Sequence, residues 1–193
     1  MSEFADLPLS QLVDALAARD PTPGAGPTLA WTCALAAALV EMVSAVMLRK
    51  EPDSPEAFDA RRDRAHDLRA TALKLADEDA ASYAQVLAVQ RRRDEPGHPQ
   101  RLRQALADAA DPLVRIIETA REVSELAAGA AAEARGGVRG EAITSVVLAE
   151  SVVRAGVPLV DLNLASDPQD PRRAQVREAA SRAADALQRT LKT

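Results

Sequence analysis

The sequence predicts an all-α protein, a bundle of about six helices built as one domain over residues 1–193. Aromatic residues make up only 2% of the 193 residues, too few for an all-β sandwich or barrel. Hydrophobic residues reach 47%, which is enough for a core, and alanine, the best helix former, is the commonest residue. Apolar residues recur at three- and four-residue spacing between short polar or Pro/Gly-rich breaks, which is the pattern of amphipathic helices.

The first two predicted helices flank a loop rich in proline and glycine. A short amphipathic helix over 9–19 ends at the segment 20–27, whose prolines and glycines cannot continue a helix. The second helix begins at Pro27 or Thr28 and runs to Lys50, because proline suits the first helical position. Its other faces are largely alanine, so we expect it to be central and buried nearly all round. Its large apolar residues form one stripe, Leu35, Leu39, Met42 and Val46.

The third predicted helix carries an acidic residue on its apolar face. It follows Ser54, a plausible N-cap, and runs over 55–91. The three- and four-residue spacing holds throughout the stripe, so Asp79 is predicted to face the core while Asp77 does not. The stripe reads Leu68, Ala72, Leu75, Asp79, Tyr83 and Val86.

The remaining chain predicts three more helices and one short apolar segment. After a polar loop, a fourth helix spans 100–134, and Pro112 inside it is expected to kink or split it. A fifth helix over 141–155 is expected to stop at Gly156-Val157-Pro158, followed by a short apolar segment over 159–164. The last helix spans 172–191.

Charge and composition exclude several classes of function. The net charge of −5 and the pI of about 5.2 leave no global basic field for a nucleic acid, and the chain lacks aromatic stacking platforms. The acidic N-terminus has no signal-peptide core, and the longest weakly polar run, 28–40, is too short to span a bilayer. We therefore expect a cytoplasmic protein that binds neither nucleic acid nor membrane.

Metal and thiol chemistry find no support in the sequence. The two histidines, His66 and His98, have no Cys or His at ligand spacing, so no metal and no cofactor are expected. His66 lies among charged residues and is interpreted as solvated. The single cysteine, Cys33, cannot form an intrachain disulfide and is interpreted as a small core residue.

Three features remain that could carry chemistry, each with an ordinary structural alternative. The loop over 21–27 could present backbone N–H groups to an anion at a helix N-terminus, or could be a simple turn. Asp79 could be a general acid or base with a raised pKa, or a paired structural carboxylate. Lys50 could act in a site, or could only complement the dipole at a helix C-terminus.

These residues resemble the cyclodeaminase/cyclohydrolase family of folate enzymes. The family pattern of a P-x-P-G-G-G-S loop, a small-residue helix, Met-Val and a lysine is matched by Pro21, Pro23, Gly24, Gly26, Met42, Val43 and Lys50. A D-x-x-A-F/Y mark corresponds to the run from Asp79 to Tyr83. The segment 109–113 resembles a third motif of the family. The segment 156–164 is similar to the family's N-V-x-I-N-L segment.

The chain departs from the family pattern in two places. Ala25 and Pro27 replace the second glycine and the serine of the loop. Where relatives carry G-N-x-N-A-x-S/T-D, this chain places Glu141 at an asparagine and Ser145 at the aspartate. A serine cannot serve as a carboxylate base at neutral pH, so these changes bear on the activity more than on the fold.

The resemblance implies a folate one-carbon enzyme that works without metal or redox cofactor. It would either hydrolyse 5,10-methenyltetrahydrofolate to 10-formyltetrahydrofolate, or cyclise 5-formiminotetrahydrofolate with loss of ammonia. Asp79 would be the acid or base, and Lys50 would orient it or stabilise charge. The substrate contacts implied are Pro23, Gly24, Ala25, Gly26, Tyr83, Glu141, Ser145, Asp161 and Asn163. Such relatives pair, so a homodimer is expected. The alternatives are a degenerate member that binds another small molecule, and a non-catalytic helical dimer.

Overall fold

The computed structural model is a bundle of six α-helices, as the sequence predicts. It describes residues 7–50 and 55–192, without the side chains of Lys50, Pro55 and Glu56. The helices are α1 (Leu9–Ala17), α2 (Ala25–Lys50), α3 (Pro55–Gln90), α4 (His98–Glu133), α5 (Gly137–Asn163) and α6 (Pro171–Lys192). No strand occurs within these described ranges.

The second helix is central, because α3, α4 and α5 all pack against it. Its alanines let these neighbours approach closely, and four of them are buried: Ala30, Ala34, Ala36 and Ala37. Cys33 is fully buried among them, and burial raises the pKa of its thiol to about 12. The expectation that α2 is buried nearly all round is wrong, because its outer face carries the Leu35 stripe. Leu35 itself is 59% exposed and Met42 is 38% exposed.

The helix α5 runs antiparallel to α2. A Cβ at Gly156 would lie 3.7 Å from Leu29 near the start of α2, whereas Ser145 donates a hydrogen bond to the carbonyl of Ala36 further along it. The predicted interruption at 156–158 does not occur, and α5 continues through Pro158 to Asn163. Gly156 is there because a Cβ would overlap with Ile117 of α4, so it marks a close helix contact rather than a break.

The helix α4 also passes through its proline without splitting, and Pro112 is buried in its interior. Its apolar stripe faces the core, with Leu113, Ile116, Ile117, Ala120, Val123 and Ala127 all buried. The α3 stripe is likewise buried from Leu68 to Val86, apart from the partly buried Tyr83. Asp79 therefore lies on a core-facing stripe, as its spacing predicts.

Two helices pass the length and composition test for crossing a membrane. They are Ala25–Arg49 and Gly137–Asn163, and about half of each apolar window is buried inside the bundle. The apolar part of α2 is thus longer than the run 28–40 considered from the sequence. Core helices of a bundle pass the same test, so the finding is weak evidence for a membrane span.

Candidate active site at the N-terminus of α2

A cavity of about 350 Å³ lies where the loop before α2 meets α3, α4 and the end of α5. That volume is at the lower end of the range for small-molecule sites, roughly 300–1,000 Å³. Four parts of the chain line it: Pro21, Thr22, Gly24, Ala25, Gly26 and Pro27 from the loop and α2; Asp79, Ala80 and Tyr83 from α3; Ala109 and Leu113 from α4; Leu159, Leu162 and Asn163 from α5.

Among the side chains that the structure describes, Asp79 is the only charged one in this lining. It is only 7% exposed, and within 7–49 and 57–192 its carboxylate makes no hydrogen bond and no ion pair. Burial disfavours the charged form and raises the pKa of Asp79 from 3.8 to about 6. A carboxyl with this pKa is mostly ionised at neutral pH. Its pKa is nevertheless close enough to neutral for the group to accept and return a proton.

The first turn of α2 lies directly against this carboxyl group. A Cβ at Gly26 would overlap with all three atoms of the Asp79 carboxyl, so only glycine fits there with Asp79 in place. Thr28 ties the turn to the preceding loop, because its hydroxyl donates to the carbonyl of Gly24 at 2.8 Å. The N–H groups of Ala25 and Gly26 belong to the first turn and have no acceptor within the helix, which leaves two donors at the cavity.

The wall formed by α3, α4 and α5 combines a polar edge with an apolar surface. Tyr83 lies one turn after Asp79 on α3, and Asn163 is the last residue of α5. Leu113, Leu159 and Leu162 complete the wall. The cavity therefore offers a carboxylate, two backbone donors, an amide and a phenol, together with an aliphatic surface for a flat or apolar ligand part.

The helix α6 holds this wall in place without entering the cavity. Arg172 donates to the carbonyl of Ala107 on α4 at 2.8 Å and pairs with Asp111 of the same helix. Arg173 donates to the carbonyl of Leu164 at the end of α5 at 3.1 Å. Because the cavity residues of α4 and α5 lie within one or two turns of these contacts, two neighbouring arginines fix both walls.

Of the residues predicted for the site, six meet in the cavity: Gly24, Ala25, Gly26, Asp79, Tyr83 and Asn163. Pro23 is buried beside them and does not line it. The peptide bond between Thr22 and Pro23 is cis.

The structure does not bring Lys50 to Asp79. Lys50 is the last residue of α2, and its side chain lies outside the described residues. Asp79 contacts the second residue of the same helix, so about 36 Å of helix separates the two positions at 1.5 Å per residue. The expectation that Lys50 orients Asp79 within one chain is therefore wrong.

Glu141 and Ser145 also lie at the far end of the bundle. Asn163 marks the cavity end of α5, and Glu141 is about 33 Å away along that helix. Glu141 is exposed, and Ser145 is fully buried with its hydroxyl bound to Ala36. Neither residue contacts the cavity, and Ser145 serves the packing of α5 on α2.

Asp161 is engaged elsewhere. Its carboxylate pairs with Arg173 and with Arg177 of α6, each at 3.1 Å, so it faces α6 and is absent from the cavity lining. The expected substrate contact at Asp161 is therefore replaced by a structural ion pair, while its neighbour Asn163 reaches the cavity.

Sequence reasoning missed the apolar half of the cavity. Leu159 and Leu162 were assigned to a separate short segment, because the proline before them predicted a break. Ala109 and Leu113 also line the cavity, but the sequence indicates only that the segment 109–113 resembles a motif of the family. The sequence signal that could have found them is the proline beside each segment, Pro112 and Pro158. Both prolines lie within helices that line the cavity.

Within the described residues, no group of three or more His, Cys, Asp or Glu side chains is placed to hold a metal ion. His66 is exposed and interacts with Glu41 and Arg69, as its charged surroundings predict. The Nε2 atom of His98 is buried and has no hydrogen-bond partner among the residues that the structure describes.

Fold and site together define an all-α protein with a buried, unpaired carboxylate at the N-terminus of its central helix, in a cavity sized for a small molecule. Comparison with known proteins identifies the family within this class. The family model for formiminotransferase-cyclodeaminase matches residues 8–182. The chain therefore belongs to the formiminotransferase-cyclodeaminase family, which is one of folate cyclodeaminase and cyclohydrolase enzymes.

The fold is shared with a solved structure. The crystal structure of formiminotetrahydrofolate cyclodeaminase from Thermotoga maritima is similar to this chain at a TM-score of 0.88 and 22% identity. The match covers 98% of this chain and 96% of that one. No curated protein matches the chain. The resemblance inferred from the four motifs is confirmed, and the all-α bundle is confirmed with it.

Proposed function

We propose that the protein is a cytoplasmic folate one-carbon enzyme in which Asp79 moves the proton. It would hydrolyse 5,10-methenyltetrahydrofolate, or cyclise 5-formiminotetrahydrofolate with release of ammonia. The observation that carries the proposal is the unpaired Asp79 carboxylate in the cavity at the N-terminus of α2, with its pKa raised to about 6. Family membership over residues 8–182 supports the choice of folate as substrate class.

The chemistry of both substrates suits a carboxylate without a cationic neighbour. The methenyl bridge is an amidinium cation, which the ionised Asp79 would attract in a cavity whose described lining residues carry no other charge. Asp79 would take a proton from water as the water oxygen bonds to the bridge carbon. The protonated carboxyl would then return that proton to N5 as the bond from carbon to N5 breaks. The remaining hydroxyl proton on the bridge carbon would be lost to water, which leaves a formyl C=O on N10.

In the cyclising reaction the same group would serve the leaving nitrogen. N10 would attack the carbon of the protonated formimino group, and Asp79 would accept the N10 proton. The carboxyl would pass that proton to the NH2 group, which leaves as ammonia as the methenyl cation forms. The N–H groups of Ala25 and Gly26 would bind a ligand oxygen, and Tyr83 would contact the pterin. Lys50, Glu141, Ser145 and Asp161 have no part in this chain's own cavity.

A spectrophotometric assay with methenyltetrahydrofolate tests the proposal. We expect wild type to turn over and Asp79→Asn to lose about two orders of magnitude or more in kcat, the usual contribution of a general acid or base. Asp67→Asn is the matched control, because Asp67 is exposed on the same helix away from the cavity. An Asp79→Asn rate equal to that of wild type would rule out this assignment.

A second candidate is a family member that binds another small molecule without turnover. The absence of any Lys or Arg from the cavity lining in the described chain favours it, since folates carry carboxylates. Calorimetric titration with tetrahydrofolate separates the two candidates, because a binder of a different class gives neither heat nor turnover. Under both candidates we propose a homodimer, supported by the exposed apolar stripe on α2.

A further inference from the structure

The face of α3 that lines the cavity continues to a second hollow at the end of the helix. Asp79 and Tyr83 line the cavity, and further steps of four and three residues lead along the same side of α3 to Leu87 and Gln90. The second hollow has a volume of about 360 Å³, and we call it the α3-end hollow. Its lining consists of Leu87, Gln90, Arg91, Arg93 and Asp94.

We propose that the α3-end hollow binds the carboxylates of the ligand whose reactive carbon lies at Asp79, and that Arg91 and Arg93 are the cations that bind them. This inference rests on the proposed function and assigns a place to the glutamate tail of a folate. The cavity itself offers that tail no cation, because its described lining contains an acid and no Lys or Arg. A carboxylate that leaves water needs a charged or hydrogen-bonding partner, and the hollow supplies two.

The two arginines of the hollow are available to a ligand. Both are exposed, and neither forms an ion pair with any residue that the structure describes. The Nε atom of Arg93 donates to the carbonyl of Gln90 at 3.3 Å, which holds the guanidinium against the end of α3 and leaves its two Nη groups for a ligand. Two such groups on one edge match the geometry of a carboxylate. By contrast, Arg101 is already paired with Glu95.

The surroundings of the hollow are basic although the chain as a whole is acidic. Residues 91–103 contain five arginines and two acidic residues, in a chain of net charge −5. A local positive field of this kind attracts and orients an anionic group. Asp94 also lines the hollow and opposes this field, since its carboxylate forms no ion pair within the described ranges. We therefore expect Asp94 to weaken the binding of an anion.

The spacing of the two hollows suits one ligand that spans both. Helical geometry continues to Arg91, because its N–H donates to the carbonyl of Leu87 at 3.1 Å. Arg91 thus lies about 12 Å beyond Tyr83 along the helix at 1.5 Å per residue. In a folate, a benzoyl ring and an amide bond separate N10 from the glutamate. The carboxylates therefore lie well away from Asp79 when the one-carbon unit is beside it.

Calorimetric titration with two ligands tests the proposal. One is tetrahydrofolate, and the other is tetrahydropteroyl methylamide, which lacks the glutamate and both its carboxylates. We expect wild type to bind tetrahydrofolate about tenfold or more tightly than the methylamide. In the double variant Arg91→Gln/Arg93→Gln, the affinity for tetrahydrofolate should fall to that for the methylamide, which itself should not change.

A matched control removes two charges from the same region without altering the hollow. Arg92 and Arg103 are exposed, belong to the same basic segment and do not line the hollow. Arg92→Gln/Arg103→Gln should therefore keep most of the preference for tetrahydrofolate. Circular dichroism should show folded helices in both double variants, because all four side chains are exposed.

Asp94→Asn gives a prediction of opposite sign. Removing this carboxylate should strengthen tetrahydrofolate binding by about two- to fivefold and leave binding of the methylamide unchanged. The preference for tetrahydrofolate should also shrink as the salt concentration rises, because exposed charges are screened. Weaker tetrahydrofolate binding by Asp94→Asn would contradict the placement of the carboxylates in the hollow.

Steady-state kinetics separates tail binding from a structural role. With methenyltetrahydrofolate, Arg91→Gln/Arg93→Gln should raise KM and leave kcat unchanged, because the tail makes the same contacts before and during the reaction. Arginines that only complement the dipole at the end of α3 would behave differently. Their loss would lower the denaturation midpoint and leave the ratio of the two affinities as in wild type, which would overturn the proposal.

The two ligands also distinguish failure of this proposal from failure of the proposed function. Equal binding of tetrahydrofolate and the methylamide by wild type would overturn the tail site and leave the proposed function standing. Binding of neither ligand would refute the proposed function, and the tail site with it.

Discussion

The main chain of Gly26 and the carboxyl group of Asp79 occupy adjoining space, with no room for a Cβ between them. The first turn of α2 and the acid of α3 are therefore fitted to one another. Gly26→Ala should force the carboxyl aside, and a misplaced catalytic group costs about 100-fold in rate. Overpacking should also cost about 1–3 kcal/mol of stability.

The measurement is kcat with methenyltetrahydrofolate beside a denaturant titration. Gly140→Ala is the control, because a Cβ there meets nothing within 4 Å and Gly140 lies in α5 at the far end from the cavity. Its activity should be that of wild type. If Gly26→Ala kept full activity, the position of the Asp79 carboxyl would not matter for the reaction.

Asp79→Asn should stabilise the fold above neutral pH. The pKa of Asp79 is about 6 in the folded chain against an ordinary 3.8, so the folded state binds the proton more tightly than the unfolded state does. Stability therefore falls as the pH rises from about 4 to 6, and ionised Asp79 costs about 1–3 kcal/mol at higher pH.

Urea unfolding of wild type and Asp79→Asn at about pH 8 and about pH 4 measures this cost. The variant should be more stable at the higher pH, and the gap should shrink strongly at the lower pH, where the wild-type carboxyl is protonated in the folded state and about half protonated in the unfolded state. A gap of the same size at both values would mean that Asp79 does not titrate as its burial implies.

The pH dependence of turnover should show an ascending limb. If ionised Asp79 is the base, kcat/KM rises as the pH passes through about 6 and then levels off. The limb should vanish from the residual activity of Asp79→Asn and persist in Asp67→Asn. A limb near pH 4 would point to an unburied carboxyl elsewhere as the base.

Ser145→Ala should change stability and leave substrate affinity alone. Its hydroxyl donates to the Ala36 carbonyl at 2.8 Å in the core, and losing such a bond costs about 0.5–1.5 kcal/mol. The denaturation midpoint should fall while KM stays constant. A raised KM with an unchanged midpoint would return Ser145 to the site.

Much of this architecture could be predicted from periodicity. The α3 stripe placed Asp79 on a buried face because spacing along one helix is a local property. The order of the family motifs located the Gly26 loop. By contrast, the pairing of Lys50 with Asp79 required knowing which helix ends meet. Gly26 and Lys50 lie at opposite ends of α2, and the sequence alone does not show which of these ends lies beside Asp79.

The prolines misled for a different reason. Pro158 and Pro112 remove a backbone donor, which predicts a break, yet both helices continue because tertiary packing overrides local preference. The Leu35 stripe was read as a core face, since exposed and buried apolar stripes have the same period. Only the packing of α3, α4 and α5 against the alanine faces shows which side is outside.

The hydrogen bonds from Arg172 to α4 and from Arg173 to the end of α5 have a consequence for folding during synthesis. Chains are synthesised from the N-terminus, and Asp79 leaves the ribosome well before these arginines do. The walls formed by α4 and α5 can exist early, but they are fastened to one another only when the beginning of α6 arrives. In a nascent chain, Asp79 is therefore synthesised well before both walls of the cavity are fixed. We expect ligand affinity to develop only after the start of α6 has been synthesised and has packed.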